Sequence, residues 1–279
     1  MKKESISIKN RSFLVLILSL VLTTYHTDAQ VDVVYNDLVW SDEFDTNGAI
    51  NSTKWHHQTQ LPNGGSWFNG EVQHYTNLIT NSFVNNGFLN IVAKKETYTN
   101  QGVTKQYTSA RLNSKFAFLY GRVDIRAKIP TNQGTWPALW MLGKNVNEDG
   151  GFFDAAFGNT GWPACGEIDI MEHVGNTQNK IYGTLHYPNF SGGNAVSKTI
   201  NISNASTEFH IYSLDWRADA IRFYVDGTLF HTFTNTSSLP FNQNFFLIIN
   251  CAMGGNFGGA INPNFTSSTF EVDYIRVFN

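Results

Sequence analysis

The chain has 279 residues, 42% hydrophobic and 15% charged, with a formal net charge of −3. That supplies apolar residues for a sizeable core, and the lack of a basic tract excludes nucleic acid or an anionic membrane surface as the natural partner. Aromatics at 14%, seven of them Trp, beside abundant Asn, Thr, Ser and Gly, fit a neutral polar ligand better.

The N-terminal segment stands apart. Lys2, Lys3, Lys9 and Arg11 precede FLVLILSLVL (13–22), a run too short to span a bilayer but of secretory h-region length. Residues 1–29 are therefore expected to be a signal peptide, cleaved near Ala29. Residues 30–279 then form one domain of a secreted or periplasmic protein. No Cys lies close behind the run, so no lipid anchor there, and no membrane anchor, is expected.

Beyond residue 36 no stretch reads as a long amphipathic helix. Short alternating runs are broken by turn residues: GFLNIVAKKE (87–96), YGRVDIRAKIP (120–130), KIYGTLHYP (180–188), FHIYSLDWR (209–217) and IRFYVDGTLFHTF (221–233). Asp226-Gly227 in the last of these is a hairpin signal. FFLIINCAMGG (245–255) is nearly all apolar, as for a strand buried on both faces, and FEVDYIRVF (270–278) ends the chain in another strand. Loops near 61–70, 143–163 and 189–208 are Gly- and Asn-rich and suit the rim of a binding site. The pattern predicts an all-β fold, an antiparallel β-sandwich of jelly-roll type. Cys165 and Cys251 allow one disulfide without requiring it. No CxxC or HExxH spacing points to a catalytic metal.

EIDIMEH (167–173) carries the chemistry. Side chains alternate along a strand, so Glu167 and Asp169 share a face and Glu172 has the wrong parity. A one-residue bulge within Ile170-Met171 would return Glu172 to that face. Three acids in one strip cannot ionise independently, so at least one pKa must rise, as a proton donor beside an ionised carboxylate requires. Acids on a strand are more often solubilising, and three in six residues also suit calcium. The neighbouring Trp162, Pro163 and Gly166 favour catalysis, because an apolar setting is costly for acids without a task. The acid spacing suits a glycosidase and leans toward retention, with inversion left open.

GWPACGEIDIMEHVG (161–175) resembles the active-site strand of glycoside hydrolase family 16, in its bulged, laminarinase-like form. LVWSDEFD (38–45), GEVQHYT (70–76), YTSARL (107–112), GTWPALWMLG (134–143), GTLHY (183–187), YVDG (224–227) and VDYIRVF (272–278) extend the likeness over roughly residues 36–279. The resemblance implies a jelly-roll sandwich with a concave substrate cleft. It makes Glu167 the nucleophile, Glu172 the general acid/base and Asp169 the residue that tunes the nucleophile's charge. The implied activity is a secreted, retaining endo-β-1,3-glucanase acting as a monomer on β-glucan, with mixed β-1,3/1,4-glucans as further substrates. Agarase, carrageenase, xyloglucanase and transglycosylase activities, or a non-catalytic glycan-binding module, are the competing readings.

Sugar rings offer C–H faces to aromatic side chains. Trp136 and Trp140 lie an even number apart, so a strand puts both on one face. Trp162 resembles the family's glycone platform. Trp67 lies in SWFNGE, which matches a substrate-contacting family loop apart from Phe68; Asn69 and Glu71 are its expected polar contacts. Arg111 could donate to a substrate hydroxyl or to an acid in the cleft. His186 matches a family cleft histidine, whereas His173 has the opposite parity and is expected to face away. Catalysis needs no cofactor. The resemblance implies a structural calcium held by Glu43, the Gly87 carbonyl and Asp273.

Overall fold

The computed structural model describes residues 34–62 and 65–279. The signal-peptide expectation for residues 1–29 lies outside them. The chain enters through β1 (Leu38–Asp42), β2 (Trp55–His57), β3 (Gln73–Tyr75), β4 (Ser82–Asn85), β5 (Phe88–Asn100) and β6 (Val103–Ser109). It continues through β7 (Arg111–Phe118), β8 (Gly121–Lys128), β9 (Thr135–Gly143), β10 (Glu167–Glu172), β11 (Lys180–His186) and β12 (Val196–Asn201). β13 (His210–Trp216), β14 (Ala220–Val225), β15 (Thr228–Thr234), β16 (Phe245–Met253) and β17 (Ser267–Phe278) complete it. Its α-helices among the described residues, α1 (Asp154–Phe157) and α2 (Gly255–Gly258), are single turns. Among the described residues no helix is long and apolar enough to cross a membrane.

The strands form two sheets. One is seven-stranded, in the order β12-β11-β10-β9-β16-β7-β2. The other is ten-stranded, running β15-β14-β13-β8-β17-β5-β6-β3, with β1 added on β17 and β4 on β5. Alternation drives their packing. Val123, Ile125 and Ala127 of β8 face Leu139 and Met141 of β9 and Ile168 of β10 within one buried core, while the intervening residues point outward. β16 is buried at every position, as its nearly all-apolar run requires. The β14–β15 hairpin turns through Asp226 (φ 49°) and Gly227 (φ 76°), the positive pair that an Asp-Gly turn supplies. Part of that core is aromatic: Trp216 lies fully buried among Phe118, Tyr120 and Phe245, with its indole N–H on the Phe241 carbonyl.

The structure departs from the sequence reading in two places. β3 pairs with β6 in parallel, so the ten-stranded sheet is not wholly antiparallel. The 189–208 stretch is not all loop, because β12 lies within it. β12 is a sheet edge whose residues are exposed or half-buried, so VSKTIN carries no apolar alternation to reveal it. Cys165 and Cys251 are both free and buried in different clusters, and burial pushes each thiol up to about 12.

Candidate active site

β10 contains the bulge that its parity requires. Against β9, Asp169 lies opposite Trp140, Met171 opposite Leu139 and Glu172 opposite Ala138, so Ile170 is the extra residue. The register against β11 shifts over the same span, from Asp169–Thr184 to Glu172–Tyr182. Ile170 and Met171 consequently both enter the core as consecutive residues, and Glu167, Asp169 and Glu172 all take the outer face. Gly166, at φ +77°, lets the chain enter β10 over Phe245 and Pro240; a Cβ there would lie 2.9 Å from the Phe245 ring.

Each acid is held from a different side. Trp162 donates its indole N–H to Glu167 Oε2 at 2.9 Å, and Trp136 donates to Glu172 Oε1 at 3.0 Å. Thr184 Oγ1 reaches Glu172 Oε2 at 3.4 Å. His186 Nε2 lies 3.2 Å from Asp169 Oδ2 and 3.5 Å from Glu167 Oε1. No lysine or arginine pairs with the three acids among the described residues. Burial, and then the Asp169 charge, push Glu167 well above the ordinary carboxylate range. Burial and then Glu172 do the same to Asp169, and burial raises Glu172 against the pull of His186 and two hydrogen bonds. A site of this kind keeps a proton on one carboxyl near neutrality while another stays ionised.

The aromatic residues divide into platforms and packing. Trp162 is 48% exposed beside Glu167 and can offer its face to a sugar. Trp136 stands edge-on to Phe257 at 5.3 Å, and Phe257 to Tyr182 at 5.0 Å, which makes an aromatic wall beside Glu172. Trp140 shares the outer face, half-buried, with its N–H on Asn250 Oδ1 at 2.7 Å. Trp67 is buried against Tyr75 at 4.6 Å, so it packs and presents no platform.

The polar residues divide similarly. Arg111 is buried between the rings of Trp67 and Trp140 and donates to Glu148 Oε1 at 2.6 Å. It therefore meets an acid, but one from the 143–163 loop and not from the trio. Glu71 is buried and accepts from Gln73 and Tyr75, while Asn69 sits exposed in the turn Phe68–Gly70. A relay from Trp140 through Asn250 and Tyr75 to Glu71 thus supports the outer face from below. His173 is buried away from the acids, as its parity requires, and burial lowers its pKa to about 4.

The expected calcium ligands are engaged elsewhere. Glu43 takes Arg276 through both carboxylate oxygens, and Asp273 takes Arg126. Gly87 occupies a positive-φ turn. A cation joining these groups would have to displace two guanidinium groups.

Thr184, Tyr182, Phe257, Asn250 and Glu148 were not anticipated. Thr184 and Tyr182 have the parity of His186, which was a usable signal. Phe257, Asn250 and Glu148 reach their partners across long sequence separations that carry no local pattern.

A bulged strand carrying three crowded acids on one face, two fixed by indole donors and flanked by aromatic rings, defines a carbohydrate-cleaving centre. The description of Glycosyl hydrolases family 16 matches residues 71–276, and the chain belongs to that family. It is 38% identical to the Beta-glucanase of Rhodothermus marinus, over 87% of this chain and 85% of that protein. A structure of LamA from Zobellia galactanivorans, in complex with laminaritriose and laminaritetraose, is 48% identical with a TM-score of 0.85, covering 88% of this chain and 100% of that one. The catalytic domain of an endo-1,3-beta-glucanase (laminarinase) from Thermotoga petrophila is 39% identical with a TM-score of 0.76, over 88% and 99% of the two chains.

Proposed function

We propose that this glycoside hydrolase is a retaining endo-β-1,3-glucanase that cuts internal linkages of laminarin-type glucans, with mixed β-1,3/1,4-glucans as secondary substrates. The observation that carries the reading is the single-faced trio of Glu167, Asp169 and Glu172, the first half-buried and the other two buried, with no lysine or arginine paired to them among the described residues. The named activities of the similar β-glucanase and laminarinase, and the laminari-oligosaccharides bound to LamA, support the β-1,3 linkage.

Glu167 attacks the anomeric carbon and its oxygen forms the glycosyl ester, while Glu172 gives its proton to the leaving oxygen. Glu172 then takes a proton from the incoming water, whose oxygen displaces Glu167 and restores the starting anomeric configuration. Glu172, raised by burial and held by the Trp136 and Thr184 hydrogen bonds, carries the first proton. Asp169, beside the nucleophile, shares the charge that Glu167 gains and loses. Trp162 and the wall of Trp136, Tyr182 and Phe257 receive sugar faces on either side of the acids.

A reducing-end assay over laminarin, lichenan, agarose and xyloglucan tests this directly. Laminarin should be cut fastest; preference for agarose or xyloglucan, or binding without cleavage, would overturn it. Asn69 acts on the substrate from its loop, Glu71 through the relay to Trp140, and Arg111 by bracing the Trp140 ring. In the same reading the protein works as a monomer, exported with residues 1–29 removed. A calcium ion at Glu43, Gly87 and Asp273 belongs to the proposal only as a stabiliser. If calcium does not raise the Tm of chelated protein, that element is removed.

A further inference from the structure

His186 is the one side chain from a neighbouring strand that touches both Glu167 and Asp169 among the described residues. Its Nε2 and one oxygen of each acid lie within 4.8 Å of one another. One imidazole nitrogen and two carboxylates are also a donor set that a first-row divalent metal accepts. The second ring nitrogen decides between these uses.

The backbone N–H of Gly192 donates to His186 Nδ1 at 3.1 Å. A ring nitrogen that accepts a hydrogen bond carries no proton, so the neutral imidazole has its proton on Nε2. Metal ligation through Nε2 needs the opposite arrangement, with Nε2 bare and an Nδ1–H facing an acceptor. Gly192 presents a donor there instead. The segment that carries it is braced. Tyr187 and Phe190 exchange backbone hydrogen bonds and stack at 5.0 Å, and Gly192 opens a short turn at φ +56°. Trp162 closes the other side of the imidazole at 5.7 Å. Asp169 Oδ2 is buried with no well-formed hydrogen bond of its own, and the Nε2 atom 3.2 Å away is the donor it faces.

We propose that the Gly192 amide fixes His186 as the Nε2–H tautomer, making His186 a positioning residue that donates into the Glu167–Asp169 pair and denies that cluster to divalent metals. The donated hydrogen bond holds negative charge on the two acids without adding a net proton, which favours an ionised nucleophile. It rests on the assignment of Glu167 as nucleophile, but its first test does not depend on turnover.

Long-range 1H–15N spectra of the full chain, labelled at its eight histidines, report the tautomer directly, with His186 assigned by its loss in His186→Gln. The expected result is a protonated Nε2 and an unprotonated Nδ1 at neutral pH. A protonated Nδ1, or Zn2+ moving the ring to a metal-bound pattern, overturns the proposal. In kinetics, His186→Gln keeps an N–H donor near the Nε2 position and should retain kcat within about tenfold, while His186→Met should lose about 10- to 100-fold in kcat with little change in KM. Equal losses in both variants overturn the positioning role. If no glucan is cut but the Nε2–H tautomer is found, the hydrolytic reading fails and the tautomer lock stands.

Discussion

The outer faces of the two sheets carry acids on strands of the same alternation and treat them in opposite ways. On the ten-stranded sheet, Asp124 pairs with Arg122, Asp273 with Arg126, Glu271 with Lys128, and Asp215 with Arg217 and Arg222. Glu43, just past β1, pairs with Arg276, and that guanidinium lowers its pKa. On the seven-stranded sheet, Glu167, Asp169 and Glu172 lie buried or half-buried beside one another with indole, hydroxyl and imidazole neighbours, and loss of solvent raises all three. Paired acids help a face stay folded and soluble; crowded, uncompensated acids oppose folding and are retained for chemistry.

The widest gap between the faces should appear in turnover. Glu167→Ala should bring laminarin hydrolysis to background while oligosaccharide binding persists, whereas Asp273→Ala should leave kcat within about twofold, as expected for an exposed pair. Measurable wild-type-like activity in Glu167→Ala would remove the nucleophile assignment. The indole donors come next. Trp136→Phe keeps the ring but loses the hydrogen bond to Glu172, and a bond to a charged group is worth about 10- to 100-fold in rate. A kcat unchanged across the pH range would mean that the indole only packs.

Stability separates the faces more gently and with opposite sign. A carboxyl whose folded pKa is raised binds its proton more tightly in the folded state, so it opposes folding as pH rises above the unfolded value of about 3.9 for Asp. Asp169→Asn should therefore raise Tm at pH 7, by about 2–4 °C for each kcal/mol recovered. The gain should shrink to nothing below about pH 4, where the unfolded Asp is protonated too. A lower Tm at pH 7 would show that the acid stabilises the fold. The smallest effect is expected at Glu43, whose lowered pKa gives stability above the unfolded value that is lost as pH falls through the folded one. Glu43→Gln should cost under about 1 kcal/mol and less in high salt, since the pair is partly exposed; a larger loss would reveal a ligand role.

Much of this was legible in the sequence because strand alternation is local. The parity defect at Glu172 located the bulge, and the apolar run of β16 announced a strand buried on both faces. What escaped was set by distance along the chain. Arg111 has a residue type that suits sugar hydroxyls, yet Glu148 takes it from the far side of a loop. Trp67 looked like a platform, but Tyr75 and the packing around it bury the ring. β12 was hard to read because Lys198 interrupts the alternation between Val196 and Ile200, the two residues of this edge strand that pack on the core.

The two buried thiols carry one more consequence. Neither pairs, each is held neutral by burial, and the sandwich closes around them without a covalent cross-link. The fold therefore makes no demand on the redox state of its surroundings. Material made in a reducing compartment should be interchangeable with material made in an oxidising one, so the protein can be moved between hosts and reagents without a folding oxidant.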